Sequence, residues 1–153
     1  MYNSILVLGI GNILMGDEGV GVHVAHKLEK EILHPNVSVL DGGTGGFHLL
    51  GHMENHDFII MVDATLDDNP PGTVRMLKPS FAADFPKAMS THDIGLKDLV
   101  VTLQLLGKMP EIILYAISIA TIQQQGIYLS DVISNAQDKV IESIKALIKD
   151  FDH

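Results

Sequence analysis

The chain has 153 residues, which is the usual size of one domain, so we expect residues 1–153 to fold around one core. The formal net charge is -9 and Arg75 is its one arginine, so there is no basic stripe for a nucleic acid or an anionic membrane surface. Cysteine is absent, which excludes disulfides, thiolate nucleophiles and cysteine-based metal sites and leaves histidines and carboxylates as the possible metal ligands.

The amino-terminal residues carry no targeting pattern. Residues 1–4 contain no basic side chain, and the apolar run at residues 5–10 is too short for a signal-peptide core. The apolar stretch at residues 112–122 has about half the length that spans a bilayer. We therefore expect a cytoplasmic protein without membrane insertion.

The first half of the chain alternates strands and helices. Residues 5–10 form a continuous apolar run, typical of a strand buried on both faces, and residues 37–40 form a second strand. Between them, apolar residues recur every four positions and predict a helix that begins near Gly19, with Val20, Val24, Leu28 and Ile32 on its inner side. A short helix through Leu49, Leu50 and Met53 follows the second strand.

The second half begins with a buried strand at residues 58–62, which Asp63 ends. A turn at residues 69–72 leads directly into residues 73–77, and the missing helix favours an antiparallel edge strand. The last strand is expected at residues 112–119.

Two helices flank that last strand. Asp93 can cap a helix that Gly107 stops, and its inner side would carry Leu96, Leu99, Val100, Leu103 and Leu106. Ser130 can cap a closing helix that buries Ile133, Val140, Ile144 and Leu147. Buried strands alternating with helices predict an α/β fold of three layers, a mainly parallel sheet with helices on both faces.

Polar residues follow the predicted strands at the places where ligands bind in such folds. Open α/β sheets bind ligands at the carboxyl ends of their strands. Glu18 lies after the first strand, Asp41 ends the second, Asp63 ends the third, and His92 precedes the helix that Asp93 caps. These four side chains can converge on one rim of the sheet.

Two carboxylates and an imidazole suit Zn²⁺, Ni²⁺ or Mn²⁺, or a metal presented by another molecule. Each residue also has a structural interpretation. Glu18 can stabilise a helix N-terminus, Asp63 can be a turn residue, and Asp41 can form an Asx turn.

The remaining histidines and the glycine pattern favour structural roles. His48 and His52 are four residues apart without an HExxH pattern, and a structural role is favoured for all seven others, which are His23, His26, His34, His48, His52, His56 and His153. The glycines at positions 9 and 11 suggest a dinucleotide fingerprint, but the third glycine would fall at Leu14.

Four segments together resemble a known family, the nickel–iron hydrogenase maturation proteases. They occur in the family's order and cover nearly the whole chain: Gly9-Ile10-Gly11-Asn12 with Gly16-Asp17-Glu18-Gly19, Asp41-Gly42-Gly43-Thr44 with Gly46, Val62-Asp63-Ala64, and Ser90-Thr91-His92-Asp93. The family's fold is a twisted, mostly parallel five-stranded sheet between helices. Some members carry aspartate at the position of Glu18.

The resemblance implies a substrate and a division of roles. Nickel already bound in an immature hydrogenase large subunit would be contacted by Glu18, Asp63 and His92, and a short C-terminal extension of that precursor would be cut off. Asp41, in the glycine-rich loop, is a candidate general base. The alternatives are a nickel-binding chaperone or checkpoint protein that cuts nothing and a general metallo-aminopeptidase.

Overall fold

In a computed structural model of the chain, residues 2–31, 33–86, 96–120 and 126–151 are described. Five strands form one sheet: β1 (Ile5–Gly9), β2 (Val37–Asp41), β3 (Phe58–Thr65), β4 (Val74–Leu77) and β5 (Glu111–Ser118). Four α-helices accompany them: α1 (Val20–Glu29), α2 (Leu50–Glu54), α3 (Leu96–Leu105) and α4 (Asp131–Asp150). Short 3-10 turns occupy Gly16–Gly19, Phe47–Leu49 and Ala82–Asp84.

The strand order in the sheet is β2-β1-β3-β5-β4. The pairs β1–β2, β1–β3 and β3–β5 are parallel, and the edge strand β4 runs antiparallel to β5. The predicted α/β class, the mostly parallel five-stranded sheet and its one antiparallel strand are therefore confirmed.

Alternate residues of each strand enter two separate core layers. One layer contains Val7, Ile60, Val62 and Tyr115 and packs against α1 and α4. The other contains Leu8, Ile59, Met61 and Leu114 together with residues of α2 and α3. We name these the α1/α4 face and the α2/α3 face. The same alternation determines to which face each side chain at the ends of the strands points.

Strand β3 extends further than the sequence predicts. Asp63 was expected to end it, but Asp63, Ala64 and Thr65 remain paired with β5, opposite Ala116, Ile117 and Ser118. The prediction was wrong because a polar residue does not end a strand whose neighbour continues alongside it. Since β1 ends at Gly9 opposite Val62, Asp63 lies in the part of β3 that has lost its partner on that side.

Helix α3 confirms most of the predicted inner side and corrects one position. Leu99, Val100 and Leu103 are fully buried, whereas Leu106 is 52% exposed. Leu106 lies beyond the end of the helix, in the turn where the N–H of Lys108 donates to the carbonyl of Leu103 at 2.9 Å. The predicted cap, Asp93, and the predicted core residue Ile32 lie outside the described residues.

The start of α4 is capped differently from the prediction. Ser130 is the N-cap residue, but its side chain caps no N–H of its own helix. Its backbone N–H and its hydroxyl instead donate to Oδ1 and Oδ2 of Asp17, both at 2.8 Å. Asp17 is 5% exposed, so this buried carboxylate joins the segment after β1 to the closing helix.

Within the described parts of the chain, none of the helices combines the length and the apolar character needed to cross a lipid bilayer.

Candidate functional site

The candidate site lies at the carboxyl ends of β1 and β3. From β1 the chain crosses to β2 on one side, and from β3 it continues to the edge strand β4 on the other, so the connections diverge between β1 and β3. Such a divergence leaves a crevice outside the strand ends, which is where open α/β sheets bind ligands. Glu18 follows β1 and Asp63 lies near the end of β3.

Glu18 is held in the 3-10 turn Gly16–Gly19, which packs against β3. The residue is 1% exposed. Its backbone lies so close to the end of β1 that a Cβ at Gly11, whose φ is 150°, would be 2.3 Å from the carbonyl oxygen of Glu18. Only glycine fits at position 11, and this close approach fixes where the Glu18 backbone leaves the sheet.

The first turn of helix α1 packs closely against the chain at the ends of β1 and β3. A Cβ at Gly21 would lie 2.2 Å from the carbonyl oxygen of Val62 and 2.3 Å from that of Ile10. The N–H of Ile10 donates to the Val62 carbonyl at 2.9 Å. The first turn of α1, the end of β1 and the residue before Asp63 are therefore in direct contact.

Asp63 is completely buried, and among the described residues only one of its two carboxylate oxygens has a hydrogen-bond donor. Oδ1 accepts the N–H of Ala64 at 2.8 Å, while Oδ2 has no hydrogen-bond partner among the described residues. By the alternation along β3 its side chain belongs to the α2/α3 face, with Ile59 and Met61. A buried carboxylate oxygen without a partner is costly, and such oxygens usually coordinate a cation or accept a hydrogen bond from a ligand.

Asp41 lies on the other face of the sheet. It ends β2 opposite Gly9, and its side chain follows Val37 and Val39 toward the α1/α4 face, two strands from β3. Oδ1 accepts the N–H of Gly43 at 2.8 Å, which is the Asx turn considered from the sequence. Oδ2 accepts a hydrogen bond from Nε2 of His26 at 2.8 Å.

The structure thus brings Glu18 and Asp63 to one rim and turns the Asp41 side chain away from Asp63. His92 lies outside the described residues, so its place in the predicted set stays a prediction. Across the part of the chain that the structure describes, no three His, Asp or Glu side chains cluster closely enough to hold a metal ion. The two buried carboxylates alone are therefore an incomplete metal site.

The guanidinium group of Arg75 lies further along the same rim. Nη2 of Arg75 donates to Oδ2 of Asp67, which follows β3, at 3.0 Å. Burial by itself would raise the pKa of Asp67, but the hydrogen bond from the N–H of Asn69 and the charge of Arg75 help to outweigh it, and that pKa is lowered. Asp67 is therefore a charged partner of Arg75.

Two side-chain contacts near the candidate site could not be predicted from the sequence. Asp17 lies beside the predicted ligand Glu18, and His26 is one of the seven histidines for which the sequence favours a structural role. Their partners, Ser130 and Asp41, lie 113 and 15 residues away along the chain. No local pattern signals a contact at either separation.

A groove of about 730 Å³ opens at the opposite end of the sheet. It is lined by the starts of β3 and β5 and by aromatic residues at both ends of the described chain, including Tyr2, Phe58, Glu111 and Phe151. It lies at the amino ends of the strands, where this type of fold does not bind its ligands.

Comparisons with known proteins agree with the fold. A sequence model of the hydrogenase maturation protease family matches residues 22–147. The hydrogenase 2 maturation protease of Escherichia coli is 43% identical over 110 residues, which are 70% of this chain and 67% of that protein. The hydrogenase expression/formation protein HupD of Bradyrhizobium diazoefficiens is 38% identical over 112 residues, 71% of this chain and 58% of that protein.

A solved structure extends the likeness to nearly the whole chain. The hydrogenase maturating endopeptidase HybD from E. coli superposes with a TM-score of 0.86 and 36% identity, covering 96% of this chain and 93% of that one. The curated relatives are longer, and the chain spans about two thirds of the E. coli relative and little more than half of HupD. By sequence and by fold, the chain belongs to the hydrogenase maturation proteases, a family of peptidases.

Proposed function

We propose that the protein is an endopeptidase that removes the C-terminal extension of a nickel-containing hydrogenase large-subunit precursor, in the cytoplasm and after nickel insertion. Glu18, Asp63 and His92 contact the nickel ion that the precursor already holds. The ion is part of the substrate, and the peptidase reads its presence before cutting the neighbouring peptide bond.

The observation that carries this proposal is Oδ2 of Asp63, which has no hydrogen-bond partner among the described residues. The side chain is fully buried at the divergence between β1 and β3, beside the turn that buries Glu18. Carboxylate oxygens are suitable ligands for a divalent metal, so the residues at this rim fit the ion.

The same donor set explains why the ion arrives with the precursor. Two carboxylates and one imidazole lack the thiolates or multiple imidazoles that hold transition metals tightly. An ion already bound by the precursor needs only modest extra contacts, so a weak set of ligands is sufficient for recognition. The contacts position the precursor's tail at the rim, and water adds across the peptide bond to give a new carboxylate and a free amine.

The proposal is tested by incubating the protein with nickel-loaded precursor and with nickel-free precursor, and measuring the mass of each product. We expect the nickel-loaded precursor to lose one C-terminal peptide and the nickel-free precursor to keep its mass. Cutting of both forms at similar rates would show that nickel is not the signal.

Variants assign the contact to named residues. Asp63→Asn keeps the size of the side chain but removes its charge, and we expect the rate to fall by more than about tenfold, the smallest loss typical of disturbed metal contacts. Asp68→Asn is the matched control, because Asp68 is an exposed aspartate in the loop after the same strand. His92→Ala should also abolish or strongly slow cleavage, and an undiminished rate in that variant contradicts the predicted ligand set.

The same mass measurement separates the alternatives. A nickel-binding checkpoint protein would form a complex with the loaded precursor while no peptide is released. A general metallo-aminopeptidase would shorten chains from the amino terminus and would not require nickel in the substrate.

A further inference from the structure

We propose that His26 is a positioning residue, which acts through Asp41 to hold the glycine loop, residues 42–46, against the backbone that carries Glu18. The loop-holding role stands on geometry alone, and its effect on cleavage rests on the function proposed above. It replaces the general-base role expected for Asp41.

The first link joins helix α1 to the end of β2. Nε2 of His26 donates to Oδ2 of Asp41 at 2.8 Å, and since a carboxylate only accepts, this ring nitrogen carries the proton. The side chains are 40% and 38% exposed. The contact is solvent-accessible, so it can break without disturbing the core.

The second link joins Asp41 to the loop. Oδ1 accepts the N–H of Gly43 at 2.8 Å, so each oxygen of the carboxylate already has a donor. A general base needs an oxygen directed at the water or group whose proton it takes. Asp41 therefore meets the requirements of an anchor better than those of a base.

The third link joins the loop to the candidate site. The carbonyl of Gly43 accepts the N–H of Gly11 at 2.8 Å, and the N–H of Gly42 donates to the carbonyl of Gly9 at 2.8 Å. Gly11 is the residue that packs directly on the carbonyl of Glu18. Contacts thus run without a gap from His26 through Asp41, Gly43 and Gly11 to the backbone of Glu18.

Gly42 is buried against Leu8 and Gly9, but beyond it the loop has little packing of its own and depends on these bonds. Three of its glycines have positive φ, and a Cβ placed at Gly43 would meet no atom within 4 Å. Glycines in such conformations are entropically costly to order, and an unpacked segment is ordered mainly by its hydrogen bonds. Loss of the His26 contact leaves the Asp41 carboxylate free to rotate away from Gly43.

Amide exchange measured by NMR tests the loop-holding role without any precursor. In His26→Ala we expect the amides of Gly43 and Gly11 to exchange about three- to fivefold faster, as breaking a half-exposed contact allows. His26→Gln, which keeps a donor, should restore most of the protection. His52→Ala is the matched control, since His52 is an exposed helical histidine on α2, and it should leave both amides unchanged.

Kinetics then distinguish an anchor from a base. A loop that is correctly placed for a smaller fraction of the time raises KM by the same factor, so we expect His26→Ala and Asp41→Ala to raise KM severalfold while kcat stays within about twofold. The double variant should be no worse than Asp41→Ala, because both changes break one path. Loss of a general base would instead lower kcat by roughly 100-fold or more in Asp41→Ala alone.

Unchanged exchange of Gly43 and Gly11 in His26→Ala overturns the loop-holding role, and a large fall in kcat confined to Asp41→Ala overturns the assignment of Asp41 as an anchor. If the wild-type protein cuts no precursor, the proposed function fails, while the exchange measurement still decides the role of His26.

Discussion

Replacement of Asp17 by alanine removes the buried carboxylate that caps α4. Asp17 accepts the backbone N–H and the hydroxyl of Ser130, both at 2.8 Å, and is 5% exposed. A hydrogen bond to a charged group contributes about 1.5–3 kcal/mol, and loss of a helix cap costs about 0.5–2 kcal/mol. Both figures include the hydrogen bond from the N–H of Ser130, so they are not added in full. We expect a loss of about 2–4 kcal/mol in the free energy of unfolding.

Urea denaturation followed by circular dichroism measures this loss. Ser130→Ala removes one of the two bonds and keeps the N–H, so it should cost about 1 kcal/mol. Asp138→Ala is the control on the same helix, because Asp138 is 65% exposed and faces Lys27 only at 3.7 Å, and it should change stability by less than about 0.5 kcal/mol. If Asp17→Ala loses less than about 1 kcal/mol, close to the loss in Asp138→Ala, the reasoning that this contact stabilises α4 is refuted.

Two further predictions concern pH and the core. Burial, followed by the charges of His26 and Lys27, lowers the pKa of His23 below 6.5. Between that lowered pKa and about 6.5 the unfolded chain binds more protons than the folded protein, so stability falls as the pH is lowered through this window. Urea midpoints at pH 7.5 and 5.5 should therefore differ less in His23→Gln than in the wild type, and equal differences would contradict the assignment. In the same assay Leu99→Ala should cost about 2–5 kcal/mol because Leu99 is fully buried, whereas Leu106→Ala should cost less than about 0.5 kcal/mol; equal losses would show that Leu106 is packed after all.

The layers of the fold could be predicted because the strands are nearly continuous apolar runs. Such short runs bounded by turn residues are typical of strands covered on both faces, and the missing helix before residues 73–77 indicated the antiparallel edge. The exact length of β3 could not be predicted, since Asp63 and Thr65 are polar and remain in the sheet only because β5 runs beside them. The composition of one strand carries no information about the length of the strand paired with it.

The candidate site was predictable in part for the same reason. Parallel strands end at one rim, so Glu18 and Asp63 could be placed together from the order of elements alone. The direction of Asp41 depends on which residues of β2 pair with β1, and a shift of one residue reverses the face. Packing fixes that register, and it also fixes the contact between His26 and Asp41. No short sequence motif indicates either of them.

The contact between Asp17 and Ser130 also has a consequence for the order in which the protein matures. It joins residues 113 positions apart, so it cannot form until Ser130 has been synthesised and has left the ribosome. Contacts of such separation close late, because the entropy of a long loop must be overcome first. The 3-10 turn that carries Glu18 therefore gains its contact with α4 late in folding, after the elements between them have been placed.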